Sequence, residues 1–453
     1  MTIGRAGEAR ALLVIALPLI FSYLSDVLMV LTAKMVVGRL GFRELAAAGV
    51  STDISYQMCI VLMGFFSVVG VLVSSALGAA RRDEVLASLI QGLMLAGGLG
   101  LAVSLLVYHL DLVLALARQD ADLIALARPY FQNFAFAIVP IVWFGVLRSF
   151  ASAMMRTGFV LTITVLTVVL NYVLMQGLVH GGFGLPRLGL AGAGLAWSLS
   201  MWFKFLCLAG FTMWLVRRED LNVGWRALRA TLGNVKPMVW LGLPVAGIVA
   251  LESGLFAATS LLTGILGTRD LAAYQMMMGW ISIPFVISLG LAEAAMVRVA
   301  FWMGAEDPAS ARQAGNLGMA IGVAIPFLLI LIPLSEPQVI TRLFLDPADP
   351  GYVEIAALVT RLLVIAAVFQ VFDGLQAIAS HALRGLRDAA MPLVIAAIGY
   401  WVIGFGSAYV FCFIFGWGSV GLWWGLALGL IFTATLLALR FERLAKHGVA
   451  AAA

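Results

Sequence analysis

Seven ionisable side chains sit inside stretches of sequence that are otherwise apolar: Asp26, Lys34, Asp53, Lys204, Glu252, Glu293 and Asp373. If those stretches lie in lipid, each charge is costly there and is a candidate for function by default. A carboxylate removed from water can take up and release H+, or exchange it for Na+. Asp26 and Glu252 are 226 residues apart, and each follows a proline (Pro18, Pro244) by eight residues. Two acids at such related positions are expected to face a common cavity. Asp373 lies in FQVFDGLQ with Gln370 and Gln376 three residues to either side, which places both amides beside it on a helix. These three acids, Glu252, Asp373 and Asp26, are the candidate cation-coupling residues, with Na+ a possible ligand at Glu252 and Asp373.

The other charges carry less. Glu293 is expected to pair toward the end of its span that holds Arg298, and Asp53 to sit within reach of water. Lys204, among Trp202, Phe203 and Phe205, either snorkels or pairs. Lys34 is two helical turns past Asp26 and well round the helix from it, too far for a simple direct pair. It either reaches an acid on another span or snorkels to the nearby outer interface. Lys34, Asn171, Tyr274, Gln275 and Tyr400 are the candidate cavity-lining residues. Residues such as the last four are more often helix–helix hydrogen bonds. The 19 Met and 27 Phe suit an adaptable apolar pocket, although most must face lipid or core.

No enzyme constellation is present. The four histidines are scattered at or near span ends, and HExxH, a partnered GxSxG and a phosphate loop are all lacking. The three cysteines, Cys59, Cys207 and Cys412, have no metal or disulfide spacing. The expectation is a protein that is not an enzyme and has no cofactor.

The elements that position these residues follow from composition. Of 453 residues only 11% are charged and 63% are hydrophobic, against roughly a quarter charged in a soluble domain. So few polar groups cannot cover a water-facing surface of this length. A soluble enzyme, a nucleic-acid binder and a secreted disulfide scaffold are therefore poor readings. The apolar runs do not alternate as lipid-facing strands do, and they reach the about 20 residues that a spanning helix needs. Twelve spans are expected, at 10–37, 45–79, 85–110, 124–147, 157–179, 190–216, 238–266, 270–300, 312–334, 352–380, 391–413 and 418–439. Eighteen Lys and Arg fall on the side that holds both termini and eight on the other, so both termini are expected in the cytoplasm.

The chain also repeats itself. Residues 16–47 and 242–273 align without a gap: Pro18 with Pro244, Gly38-x-Leu-Gly41 with Gly264-x-Leu-Gly267, and Arg43-Glu-Leu-Ala-Ala47 with Arg269-Asp-Leu-Ala-Ala273. A weaker echo joins Gly189-Leu-Ala-Gly192 to Gly418-Ser-Val-Gly421. A removable signal would not recur in mid-chain, so the first span is expected to be mature structure. Six spans separate the copies, so both cross in the same direction, the parallel repeat known in secondary transporters. The expected organisation is a six-helix lobe at 1–217, a cytoplasmic connector at 218–236 and a second six-helix lobe at 237–453.

At these motifs the chain resembles the MATE (multidrug and toxic compound extrusion) family, NorM-like branch. The stretches that carry the likeness are LPLIFSYL…VVGRLGFRELAAAG, VLRSFASAMMRTGFVLTITVLTVVLNYVL, LGLAGAGLAWSLS, LGLPVAG…LES…GILGTRDLAAYQM, FQVFDGLQAIASHALRGLRDAAMPLV and YWVIGFGSAYV…GSVGLWWGL. The resemblance implies an all-α membrane protein with twelve transmembrane helices in two pseudo-symmetric lobes around a central cavity. It implies efflux of amphiphilic, often cationic organic compounds against Na+ or H+ entry. A monomer in the plasma membrane is expected. Glu252, Asp373 and Asn171 match recurrent family positions. One departure stands out. The family's first-helix Asp falls here at Ala33, followed by Lys34. Asp26, seven residues earlier and about 10 Å along the axis, is a possible substitute. Coupling through the second lobe alone and Lys34 as a fixed charge are the other possibilities. Two alternative functions remain: a related exporter or flippase of lipid-linked or polysaccharide precursors, and a non-transport membrane subunit.

Overall fold

The computed structural model describes residues 4–116, 121–221, 235–336, 338–345, 347 and 351–447. Arg118 and most of the expected connector, residues 222–234 with Arg226 and Arg229, lie outside them. The described residues form helices and no strand. Twelve helical segments among them are long and apolar enough to cross a membrane, and they coincide with the twelve spans expected.

The first six are built from α1 (Arg5–Gly38), α2 (Phe42–Phe66), α3 (Val68–Gly78), α4 (Arg82–Tyr108), the short α5 (Leu110–Leu116), α6 (Ala121–Ala153), α7 (Thr157–His180) and α8 (Leu190–Arg218). The second six are built from α9 (Lys236–Leu266), α10 (Thr268–Gly304), α11 (Pro308–Ser335), the short α12 (Gln338–Phe344), α13 (Tyr352–Gly385), α14 (Ala390–Ala397), α15 (Gly406–Tyr409) and α16 (Gly418–His447). The eleventh span, Ala390–Ile414, is not plain α-helix. It widens into π-helical turns at Ile398–Phe405 and Val410–Ile414, on either side of α15.

The repeat is visible in the backbone. Gly41 and Gly267, both just ahead of a helix, have φ of 144° and 136°, a region that side chains other than glycine's rarely enter. Ala80 and Glu306 turn with φ of 55° and 58°, and Met155 and Arg387 with 55° and 61°. Gly189 and Gly418 both have φ of 58°. The same corners are turned at the same places in each half.

The chain forms two compact units. One comprises Phe21–Gly242, the other Met1–Ile20 with Leu243–Ala453. The division falls inside α1 and inside α9, just after Pro18 and just before Pro244, each a proline within its helix. Lipid tails are as apolar as leucine, so close packing rather than burial holds such helices together. In the Phe21–Gly242 unit, α6 is central and packs on α8, α4 and α2. Tyr130 stacks on Phe134, and Phe134 meets Trp197 edge-on, with ring centroids 5.5 and 6.0 Å apart. In the other unit α13 is central, against α10, α11 and α16. There small residues bring backbones into contact. A Cβ added at Gly429 of α16 would stand 2.6 Å from the Gly399 carbonyl and the Gly404 Cα of the π-helical span.

Candidate functional site

The sharpest cluster lies in the unit that holds Leu243–Ala453. Glu252 is on α9, partly buried, two turns past Pro244. Asp373 lies near the middle of α13 and is 3% exposed. Tyr400 comes from the π-helical turns, and Arg384 lies three turns beyond Asp373 on α13. Glu252 is within electrostatic reach of Arg384, Asp373 and Tyr400. Glu252 is thus the common neighbour of three residues from two other helices inside the spans. With both acids ionised and Arg384 charged, the cluster carries one uncompensated negative charge.

Its polar atoms are also undersatisfied. Gln370 and Gln376, one turn to either side of Asp373, are buried. Both polar atoms of the Gln370 amide, Oε1 of Gln376, Oη of Tyr400 and Nε of Arg384 have no hydrogen-bond partner. Buried polar groups are ordinarily paired. A set of oxygen atoms left open beside two carboxylates suits a small cation, because Na+ takes oxygen ligands and H+ needs an acceptor. Behind the cluster, His381 accepts from Nη1 of Arg384 at 3.2 Å and donates from Nδ1 to the Ala377 carbonyl at 2.7 Å. This fixes the guanidinium along the α13 face. Arg384 and His381 were not singled out from sequence, because each reads as a polar residue at the end of a span.

The remaining candidates are placed individually. Tyr274 is buried, donates to the Phe256 carbonyl at 3.3 Å and packs its ring on Trp423. Gln275 is exposed and donates to Ser260 at 3.4 Å. Both therefore tie α10 to α9. Asn171 is fully buried and donates to Ser200 at 3.1 Å, a helix–helix bond between α7 and α8. Its Oδ1 has no partner.

In the Phe21–Gly242 unit the acids are already matched. Lys204 of α8, 3% exposed, donates to Asp26 of α1 at 2.6 Å. Lys34 lies 3.6 Å from Asp53, and both are exposed, so Lys34 reaches an acid on another helix, α2. Arg298 forms two bonds of 2.7 Å to Glu8, which also accepts from Nε1 of Trp302 at 3.2 Å. Glu8 escaped notice because the first span was expected to begin at residue 10, whereas α1 begins at Arg5.

Comparison with known proteins agrees with this architecture. The MatE family model matches residues 18–175 and 244–410, one block in each half. A probable multidrug resistance protein NorM of Pseudomonas putida is 35% identical over 98% of this chain and 96% of its own. The multidrug resistance protein NorM of Burkholderia vietnamiensis is 36% identical over 94% and 92%. Among solved structures, a eukaryotic MATE transporter superposes with a TM-score of 0.86 at 23% identity, over 98% of this chain and 99% of that one. An outward-facing multidrug resistance MATE transporter gives 0.82 at 19% identity, over 97% and 96%. Twelve spanning helices, a backbone repeated in its corners and near full-length identity to NorM proteins lead to one assignment: the chain is a multi-pass membrane protein and belongs to the MatE family.

Proposed function

We propose that the chain exports amphiphilic organic compounds, cationic ones among them, across the plasma membrane and takes up one Na+ or H+ in exchange. The carrying observation is the cluster of Glu252, Asp373, Arg384 and Tyr400, one positive charge short and lined with unpartnered oxygens. The NorM names of its relatives support a multidrug substrate range.

The chemistry follows from the charge count. Two carboxylates in low dielectric repel each other, and Arg384 offsets only one. Entry of one monovalent cation balances the cluster. A cationic solute held near the same charge competes with that cation, so the two are bound alternately. Alternation becomes transport when the inward-open and outward-open states differ in affinity for the cation, because a ligand shifts an equilibrium only by that difference. In this reading Gln370, Gln376 and Tyr400 supply neutral ligands, and the His381–Arg384 contact holds the fixed positive charge in place. The protein works as a monomer with both termini in the cytoplasm.

Inverted vesicles loaded with a fluorescent organic cation, under imposed Na+ or H+ gradients, test this. Glu252→Gln and Asp373→Asn are each expected to reduce gradient-driven transport at least tenfold while leaving the protein in the membrane. Gradient-driven transport at the parent rate in both variants would overturn the assignment.

A further inference from the structure

The two halves place a first-helix acid at the same position and then treat it differently. Asp26 and Glu252 are equivalent across the repeat. Lys204, which holds Asp26, maps onto Thr433 at the 229-residue spacing of Gly189 and Gly418. Asp373 maps back onto Ile141 at the 232-residue spacing of Met155 and Arg387. So one half gives its acid an ammonium where the other has a hydroxyl. The other half gives its acid a second carboxylate where the first has a hydrocarbon.

The surroundings of Lys204 are built for a resident charge. Nζ is 2.6 Å from Oδ1 of Asp26 and 4.4 Å from the centre of the Phe144 ring of α6. One turn further on α6, the Arg148 guanidinium lies 4.8 Å over the ring of Tyr23, on α1 one turn before Asp26. Tyr56 of α2 lies within electrostatic reach of both Asp26 and Arg148. The Asp26–Lys204 pair is balanced within itself, whereas the Glu252 cluster is one positive charge short. A cation arriving from solution would find its place taken.

We propose that Lys204 is a tethered counter-cation: its ammonium permanently occupies at Asp26 the place that a mobile Na+ or H+ takes at Glu252, so the Phe21–Gly242 unit binds no coupling ion. This rests on the reading of Glu252 and Asp373 as the coupling site. Each cycle then exchanges one coupling cation through one unit, and Asp26 is a latent cation site kept closed by Lys204.

The test uses full-length protein in proteoliposomes. Asp26→Asn alone would strand a buried ammonium, so the neutral pair Lys204→Met/Asp26→Asn is the informative variant. It is expected to retain gradient-driven transport with the parent's ion-to-solute ratio. A lost or altered ratio would overturn the proposal by placing Asp26 among the coupling groups. The converse variant, Lys204→Met/Arg148→Gln, leaves Asp26 as the local charge. Tryptophan fluorescence titrated with NaCl against choline chloride at constant ionic strength, and separately with pH, is expected to show a second Na+ or pH response in this variant. Further addition of Asp26→Asn should remove it. A folded variant with no new response to either cation would also overturn the proposal. Failure of the coupling assignment is read separately: Glu252→Gln that still couples rejects that assignment, whatever the Lys204 variants do.

Discussion

At the scale of single residues, the fully buried charges divide into those that are matched and those that are not. Glu8 is matched three times over, by two nitrogens of Arg298 and one of Trp302, at 2% exposure. Removing one partner of such a pair leaves the other charge stranded, at a cost of about 3–5 kcal/mol. Glu8→Gln is therefore expected to lower the thermal unfolding midpoint of detergent-purified protein markedly. The double replacement Glu8→Leu/Arg298→Met should cost much less, and equal losses would show that the ion pair is not the reason. The candidate acids were legible in sequence because charge is scarce there, and Asp26, Glu252 and Asp373 stand out from their neighbours. Their partners were not legible. Lys204 meets Asp26 across 178 residues, and one sequence carries no signal of which helices lie side by side. Ala33 drew attention to Lys34 as the replacement charge, whereas the ammonium buried against an acid belongs to Lys204.

At the scale of helices, the eleventh span shows what composition does and does not specify. Its length and apolar character were readable from sequence, but its π-helical turns were not, because a wider turn leaves no periodic mark over eight residues. It approaches α16 through glycines. A Cβ at Gly425 would run into the backbone N and Cα of Ala408, atoms that cannot swing aside. Gly425→Ala is expected to cost about 1–3 kcal/mol through overpacking. At Gly264 of α9 a Cβ meets nothing within 4 Å. There the same change should stabilise by about 0.5–1 kcal/mol, through the entropy glycine loses in a helix. Thermal midpoints of the two variants, moving in opposite directions, would confirm the close approach. A fall at both positions would refute it.

At the scale of the whole molecule, the twelve spans among the described residues are even in number, and the excess of basic residues is the ground on which we propose both termini in the cytoplasm. Reporter fusions at the two ends should both be active only in the cytoplasm. A cysteine at Phe183, 77% exposed in the turn after α7, should react with a membrane-impermeant thiol reagent added from outside. Labelling only after the cells are opened would invert the topology. The repeat was legible because it runs through helix, turn and next helix without a gap. The crossing of the chain between units was not, since a proline marks a bend and not what packs beyond it. That crossing bears on how the chain can be divided. Residues 1–20 are completed by the later half and residues up to 242 by the earlier one, so a fragment cut between α8 and α9 lacks turns that its own unit needs and carries turns that belong elsewhere. The two fragments, expressed separately, should recover transport only when made together.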